Sequence, residues 1–174
     1  MTTDRTAASF TMLEGLKQAI AAEGDGHHFY LMAAASTQDP QGKEIFQRLA
    51  AEELDHIRFL RGQHRALLET GRPDGSLRLG PRADLSGDSP IFSPALRDRI
   101  AEAHFEMTAL SVGAQLELAA VTFYRAQAAS SADPKVRAFY EELVEWEQGH
   151  YDALLRQQDA LKDDYWSAGG FSPF

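Results

Sequence analysis

The stretch Glu23-Gly24-Asp25-Gly26-His27-His28-Phe29-Tyr30, followed by Asp39-Pro40 and then Glu53-Leu54-Asp55-His56, recurs 94 residues further along the chain. There it reads Glu117-Leu118-Ala119-Ala120-Val121-Thr122-Phe123-Tyr124, then Asp133-Pro134, then Glu147-Gln148-Gly149-His150. At the same offset Ala34-Ala35-Ser36 falls on Ala128-Ala129-Ser130. Each half therefore holds a lone Glu, a Tyr seven residues later, an Asp-Pro turn and a Glu-x-x-His. Two copies of one helical hairpin bring the same three ligand types: Glu23, Glu53 and His56 from the first, Glu117, Glu147 and His150 from the second. Four carboxylates and two imidazoles form the ligand set of a dinuclear metal centre inside a four-helix bundle.

The helical signals around these residues predict an all-α chain. Thr11-x-x-Glu14 reads as a capping box before an apolar-periodic run that continues to about Thr37. Asp39-Pro40 ends that helix and opens the second, with Pro at a first-turn position. The second helix runs from about Gln41 to Glu69 and stops at Gly71-Arg72-Pro73, so the first hairpin covers residues 11–69. Residues 70–107 form a connection rich in Gly, Pro, Asp and Ser, with a short or kinked helical stretch opened by Ser93-Pro94. The second hairpin covers residues 108–162, its helices running from about Thr108 to Ser131 and from Lys135 to Lys162. Residues 163–174 read as an irregular tail that Tyr165, Trp166, Phe171 and Phe174 pack down. The expectation is one domain over residues 1–174. Two antiparallel hairpins joined by a single long connection have the topology of a ferritin-like bundle, and loops of that length are otherwise uncommon in a compact domain.

Helix geometry brings the candidate ligands to one level. Glu23 lies 16 residues before Asp39 and Glu53 lies 14 after it, which at about 1.5 Å per residue puts both roughly 21–24 Å from the turn. Glu117 and Glu147 stand in the same relation to Asp133. Glu53 and His56, at i and i+3, share a helix face, as do Glu147 and His150. The repeat also separates neighbours. Glu52 could be mistaken for the ligand, but its counterpart is Trp146, which cannot bind a metal. Glu141, Glu142 and Glu145 fall on Gln47, Arg48 and Ala51 and are set aside on the same ground.

Composition narrows the chemistry. The sequence has 174 residues and no cysteine, which removes disulfides, thiolate metal sites, iron–sulfur clusters and a thiol nucleophile. A Glu/His ligand set with bridging carboxylates suits iron, or manganese, better than zinc, which usually takes four-coordinate sites richer in nitrogen or sulfur. Two iron ions per chain are expected, with manganese or zinc as alternatives. A formal charge of -9 argues against nucleic acid and against anionic membrane surfaces as partners. No apolar run reaches the roughly 18 residues of a membrane span, and a polar start without a signal core leads to an expected cytoplasmic address.

On Glu23-x6-Tyr30, Glu53-x-x-His56, Glu117-x6-Tyr124 and Glu147-x-x-His150, the chain resembles the ferritin-like superfamily, and within it the rubrerythrin-like diiron proteins, from Leu13 to about Leu161. The resemblance implies a non-haem diiron oxidoreductase that reduces hydrogen peroxide or dioxygen, often as a homodimer. Full-length rubrerythrins carry a four-cysteine rubredoxin domain, so for this cysteine-free sequence an external electron donor is expected. Many also have a further Glu three residues after the third-helix ligand, where this chain has Ala120, with Gly26 at the matching place in the first helix. Other classes of function for the same ligand set are ferroxidase activity with iron storage or delivery, and a non-catalytic metal-binding bundle.

Tyr30 and Tyr124 lie two helical turns past Glu23 and Glu117, on nearly the same face, and are expected to hydrogen-bond ligand carboxylates and orient them. His27 lies one turn past Glu23, but its counterpart is Val121, so a symmetric centre does not need it. His28, His64 and His104 are expected at the surface or in packing, and Trp146 in the core or an interface.

Overall fold

The computed structural model describes residues 2–80 and 90–170, of which 2–11 in backbone only. Five α-helices follow one another: α1 (Thr2–Ser36), α2 (Pro40–Thr70), the short α3 (Pro94–Arg97), α4 (His104–Ser130) and α5 (Pro134–Ala168), with a 3-10 turn at Ile100–Glu102 before α4. No strand occurs among the described residues. The four long helices form the bundle, α1 packing on α2 and α4 on α5 as two hairpins.

Both hairpin turns use the same capping chemistry. Asp39 and Asp133 sit at the N-caps of α2 and α5 in extended conformation, each followed by Pro at the first helical position. The Asp39 carboxylate accepts from the backbone N–H of Gly42 at 2.8 Å, and that of Asp133 from Lys135 at 2.8 Å. Each bond satisfies an amide that the helix itself cannot pair. At the far end of α2, Gly71 takes φ 68°, a left-handed cap that favours glycine, and its N–H returns to the Leu67 carbonyl at 2.9 Å.

Two apolar clusters fill the bundle, one at each end. The first joins Tyr30 and Ala33 of α1, Phe46 and Leu49 of α2, Leu110 of α4 and Leu154 of α5. The second joins Leu16 and Ala19 of α1, Leu60 and Leu67 of α2, Tyr124 of α4 and Leu143 of α5. The duplication shows in the stacking: Tyr30 lies on Phe46 at 6.2 Å between ring centroids, and Tyr124 lies on Tyr140, the counterpart of Phe46, at 5.9 Å. The connection between hairpins starts at the second cluster, where Leu77 and Leu79 pack, and reaches the first, where Ile91, Phe92 and Leu96 are buried. It thus links opposite ends of the bundle. As a result α4 runs antiparallel to α1, and α5 parallel to it.

Three boundaries differ from expectation. α1 starts at Thr2 rather than Thr11, because no Gly or Pro interrupts residues 2–14 and the Thr-x-x-Glu pattern is carried inside the helix. α4 starts at His104, four residues early, where the backbone N–H of Met107 already bonds the Ala103 carbonyl. The tail expected to be irregular is helical to Ala168, stopping only at Gly169-Gly170. Along it Lys162 pairs with Asp159 at 2.8 Å, and Tyr165 bonds His104 Nδ1 at 2.7 Å. Tyr165 does pack on the bundle, whereas Trp166 is substantially exposed; Phe171 and Phe174 lie outside the described residues.

The two caps differ in burial. Asp39 is buried and also receives the backbone N–H of Ser93 at 3.1 Å and the Ser93 hydroxyl, which ties the connection to the first turn. Burial alone would raise its pKa, but the bonds from Ser93 and Gly42 outweigh it and hold the carboxyl below its ordinary value. Asp39→Ala is expected to cost about 1–2 kcal/mol in urea unfolding, and Asp133→Ala about 0.5–1 kcal/mol. Because the folded pKa of Asp39 is depressed, its contribution is present above the unfolded pKa of about 3.9 and lost as pH falls through the folded value. The stability gap between wild type and Asp39→Asn should therefore be flat above about pH 5 and close in more acidic solution.

Candidate metal centre

Between the two apolar clusters lies a layer of buried charge. Glu23, Glu53, Glu117, Glu147, His56 and His150 are each no more than 3% exposed. Their side chains form two overlapping groups: Glu23, Glu53, His56 and Glu147, and Glu53, Glu117, Glu147 and His150. Within each group, one ligand atom per residue lies within 4.8 Å of all the others. Glu53 and Glu147 belong to both groups, so they are placed to bridge two ions, while Glu23 and Glu117 each face one. The Glu-x-x-His helices α2 and α5 supply the two shared carboxylates and the imidazoles; α1 and α4 supply the carboxylates that belong to one group each.

Both imidazoles present Nδ1 to this layer. His56 Nδ1 is 2.9 Å from Glu147 Oε1, 3.4 Å from Glu23 and 3.5 Å from Glu53. His150 Nδ1 is 3.3 Å from Glu147 Oε2 and 3.7 Å from Glu117. The rings lie nearly parallel, 6.3 Å apart. Without cations the layer satisfies its charge poorly. Burial, then the neighbouring Glu23 and Glu147, raise the Glu53 pKa well above the ordinary carboxylate value. Burial and Glu147 push Glu117 up to about 8 against the opposing pull of His150. For the imidazoles, burial favours the neutral form, yet the surrounding carboxylates, Glu147 foremost for His56 and Glu117 for His150, raise both pKa values well above normal. Glu147 lies between them, and the two imidazolium charges overcome its burial and lower its pKa.

The residues fit a pair of metal ions. Although imidazole nitrogens lie 2.9 Å and 3.3 Å from Glu147, Glu53 Oε2, both oxygens of Glu147 and His150 Nδ1 are buried without a well-aligned hydrogen-bond partner among the described residues. Such atoms are costly to bury unless something takes their lone pairs. All of them face the two overlapping groups, and the donor set is oxygen and imidazole nitrogen, as iron or manganese prefers.

The tyrosines are exchanged between hairpins. Tyr30 on α1 donates to Glu117 on α4, and Tyr124 on α4 donates to Glu23 on α1. Each contacts a candidate-ligand carboxylate of the opposite half, a pairing that sequence spacing along one helix does not show. Burial and the adjacent carboxylates raise both phenol pKa values well above normal, so the hydroxyls stay protonated donors. His27 points elsewhere and shares its Nδ1 with the Ala50 carbonyl at 2.6 Å. His28 is exposed and bonds the Gly24 carbonyl of its own helix at 2.7 Å. His104 is at the surface with Tyr165, and His64 is partly buried with an unpartnered Nε2. Glu52, which the repeat separates from the ligands, belongs to neither group, yet it is buried and its Oε2 lies 2.9 Å from His150 Nε2. A Glu-Glu-x-x-His run, apolar on either side, is the one sequence signal that could have flagged it.

A cleft of about 340 Å³ between α1 and α4 reaches the carboxylates. Its lining includes Glu23, Gly26, Glu53, Glu117, Ala120 and Phe123. Gly26 and Ala120 leave this space open: a Cβ at position 26 would already touch the Glu53 carboxyl at 3.4 Å.

Among known families, the model described as Rubrerythrin matches residues 14–158. No curated protein and no solved structure matches the chain.

The crossed tyrosine contacts make a directional prediction. Tyr30→Phe frees Glu117 and Tyr124→Phe frees Glu23, so each should weaken metal affinity about 10–100-fold, as loss of a ligand's hydrogen-bond partner commonly does. Isothermal titration with Mn(II) would measure it. Glu53→Ala and Glu147→Ala remove a residue common to both groups and should abolish binding of the second ion altogether.

Proposed function

Because the chain belongs to the rubrerythrin family, within the ferritin-like superfamily, we propose that it is a diiron oxidoreductase that reduces hydrogen peroxide with electrons from an external donor. The observation that carries this reading is the pair of overlapping Glu/His groups sharing Glu53 and Glu147, set at the inner end of a cleft. Glu23, His56 and the two shared carboxylates would hold one iron; Glu117, His150 and the same carboxylates would hold the other. Bound as a ferrous pair, iron would supply one electron per ion to the O–O bond, so that peroxide and two protons leave as two waters.

The chain's own residues set the conditions for that exchange. Tyr30 and Tyr124 hold the terminal carboxylates in place through hydroxyls that remain protonated. The apolar clusters above and below exclude water from the layer except along the cleft. Gln18 and Asp25 stand in the lining with Ala22, Leu116 and Phe123, so a small polar oxidant can enter from the α1–α4 side. With no cysteine in the sequence, the electrons that restore the ferrous pair come from a separate donor. The acidic surface implied by a net charge of -9 favours a donor with a basic docking face. The protein is also proposed to work as a homodimer.

Anaerobic titration with Fe(II) is expected to break at two ions per chain, and addition of peroxide should develop ferric near-ultraviolet absorption while consuming one peroxide per pair. A stoichiometry of one ion or none would sink the dinuclear reading. Tight zinc with no iron oxidation would make the bundle a non-catalytic metal binder, and uptake of iron far beyond two per chain would make it a ferroxidase. Narrowing the cleft with Ala120→Leu should slow peroxide consumption at least about tenfold, ~1.4 kcal/mol of barrier, with iron stoichiometry unchanged.

A further inference from the structure

The two halves of the site match residue for residue until one step behind the histidines, where the repeat breaks. Glu52 precedes Glu53; its counterpart Trp146 precedes Glu147. Both are buried, and each reaches across to the histidine of the opposite hairpin. Glu52 Oε2 lies 2.9 Å from Nε2 of His150. The Trp146 indole instead meets the His56 imidazole edge to face, 5.1 Å between centroids at 76°, and His56 Nε2 has no hydrogen-bond partner among the described residues.

The chemical consequence follows from the tautomer. In both rings Nδ1 faces the carboxylate layer, so a metal there takes the Nδ1 lone pair and leaves the proton on Nε2. At His150 that N–H donates to a buried carboxylate. A carboxylate in this place fixes the ring's orientation and makes the coordinating nitrogen more basic. It also adds negative charge close to one ion and not the other. At His56 the N–H has an aromatic ring beside it and, among the described residues, no oxygen to accept it. The remaining contacts are balanced: each group has one terminal Glu held by a tyrosine from the other hairpin, the same two shared carboxylates and one His.

We propose that Glu52 makes the two metal positions unequal, acting as a positioning residue through His150, so that the ion at Glu117 and His150 binds first and more tightly than the ion at Glu23 and His56. This rests on the metal-centre reading above, but it predicts an order of filling that the reading alone does not.

The test uses the whole chain, apo, with Co(II) under anaerobic conditions. Crystals given one equivalent per chain, examined by anomalous scattering at the cobalt edge, should show the ion concentrated at the His150 position. Titration in solution should resolve two steps whose affinities differ about 10–100-fold. Glu52→Gln, which keeps the shape but removes the charge, should bring the two steps within a few-fold and spread one equivalent over both positions. Glu52→Asp should restore part of the separation, which a purely structural role for the buried side chain would not do. Equal occupancy in the wild type, first filling at His56, or a separation unchanged in Glu52→Gln would overturn the inference while leaving the dinuclear centre intact. Failure to bind cobalt at all would overturn the metal-centre reading and this inference with it. Should the variants fail to fold, the wild-type occupancy still overturns the inference if it is equal over the two positions or favours His56.

Discussion

Four carboxylates and two imidazoles share one buried layer at the middle of the bundle, and the rest of the molecule is arranged around the electrostatic cost of keeping them there. Carboxylates this close repel one another, and burial deprives them of the water that would screen that repulsion. The fold supplies three counterweights. Imidazoles flank Glu147 and lower its pKa, tyrosine hydroxyls bond the two terminal carboxylates, and the unpartnered lone pairs are aimed at two places where cations fit. The apolar clusters at either end supply the stability that the charged layer cannot. They also hold the helices at a spacing the repelling groups would otherwise widen.

The topology serves this layer directly. Because α1 and α4 run in opposite directions, Tyr30, two turns past Glu23, lies in the first cluster and reaches back to Glu117, while Tyr124 lies in the second and reaches back to Glu23 from the other side. In a bundle where these helices ran parallel, both tyrosines would lie on the same side of the layer. The crossed bonds couple the hairpins through the site, and the long connection, which links opposite ends of the bundle, is what sets them on opposite sides of the layer. Asp39 reinforces that route, since one carboxylate caps α2 and pins Ser93 near the end of the connection.

What could be read from the chain and what could not divide along a physical line. The Asp-Pro turns, the level of the ligands across each hairpin and the choice of Glu53 over Glu52 depend on short-range geometry and on a repeat, both present in the residues themselves. Helix ends were less legible: α1 and α5 outrun their predicted limits because no breaker stops them, and a cap-like pattern such as Thr11-x-x-Glu14 is tolerated inside a helix. The tyrosine partners needed the packing of α1 against α4, which no local pattern encodes. Glu52 shows the limit of reading by symmetry. The comparison that separated it from the candidate ligands also hid it, because a residue without a counterpart looks dispensable when only the shared features are counted.

Duplication and divergence have left different marks on this site. Duplication explains why both groups have the same number and kind of side chains, for each hairpin brings one Glu to a single group, one Glu to both groups and one His. Divergence at a single pair, Glu52 and Trp146, then acts from behind the histidines, where it can alter a ligand's strength without altering the ligand count. The shared carboxylates turn that small difference into an order. An ion held by His150 would draw on Glu53 and Glu147 and so would weaken their pull on any ion that followed. In a centre of equal positions that penalty would fall on whichever ion came second. With a carboxylate behind only one imidazole it falls on the side of Glu23 and His56, so the inequality introduced by one residue is enlarged by the two that both ions must share.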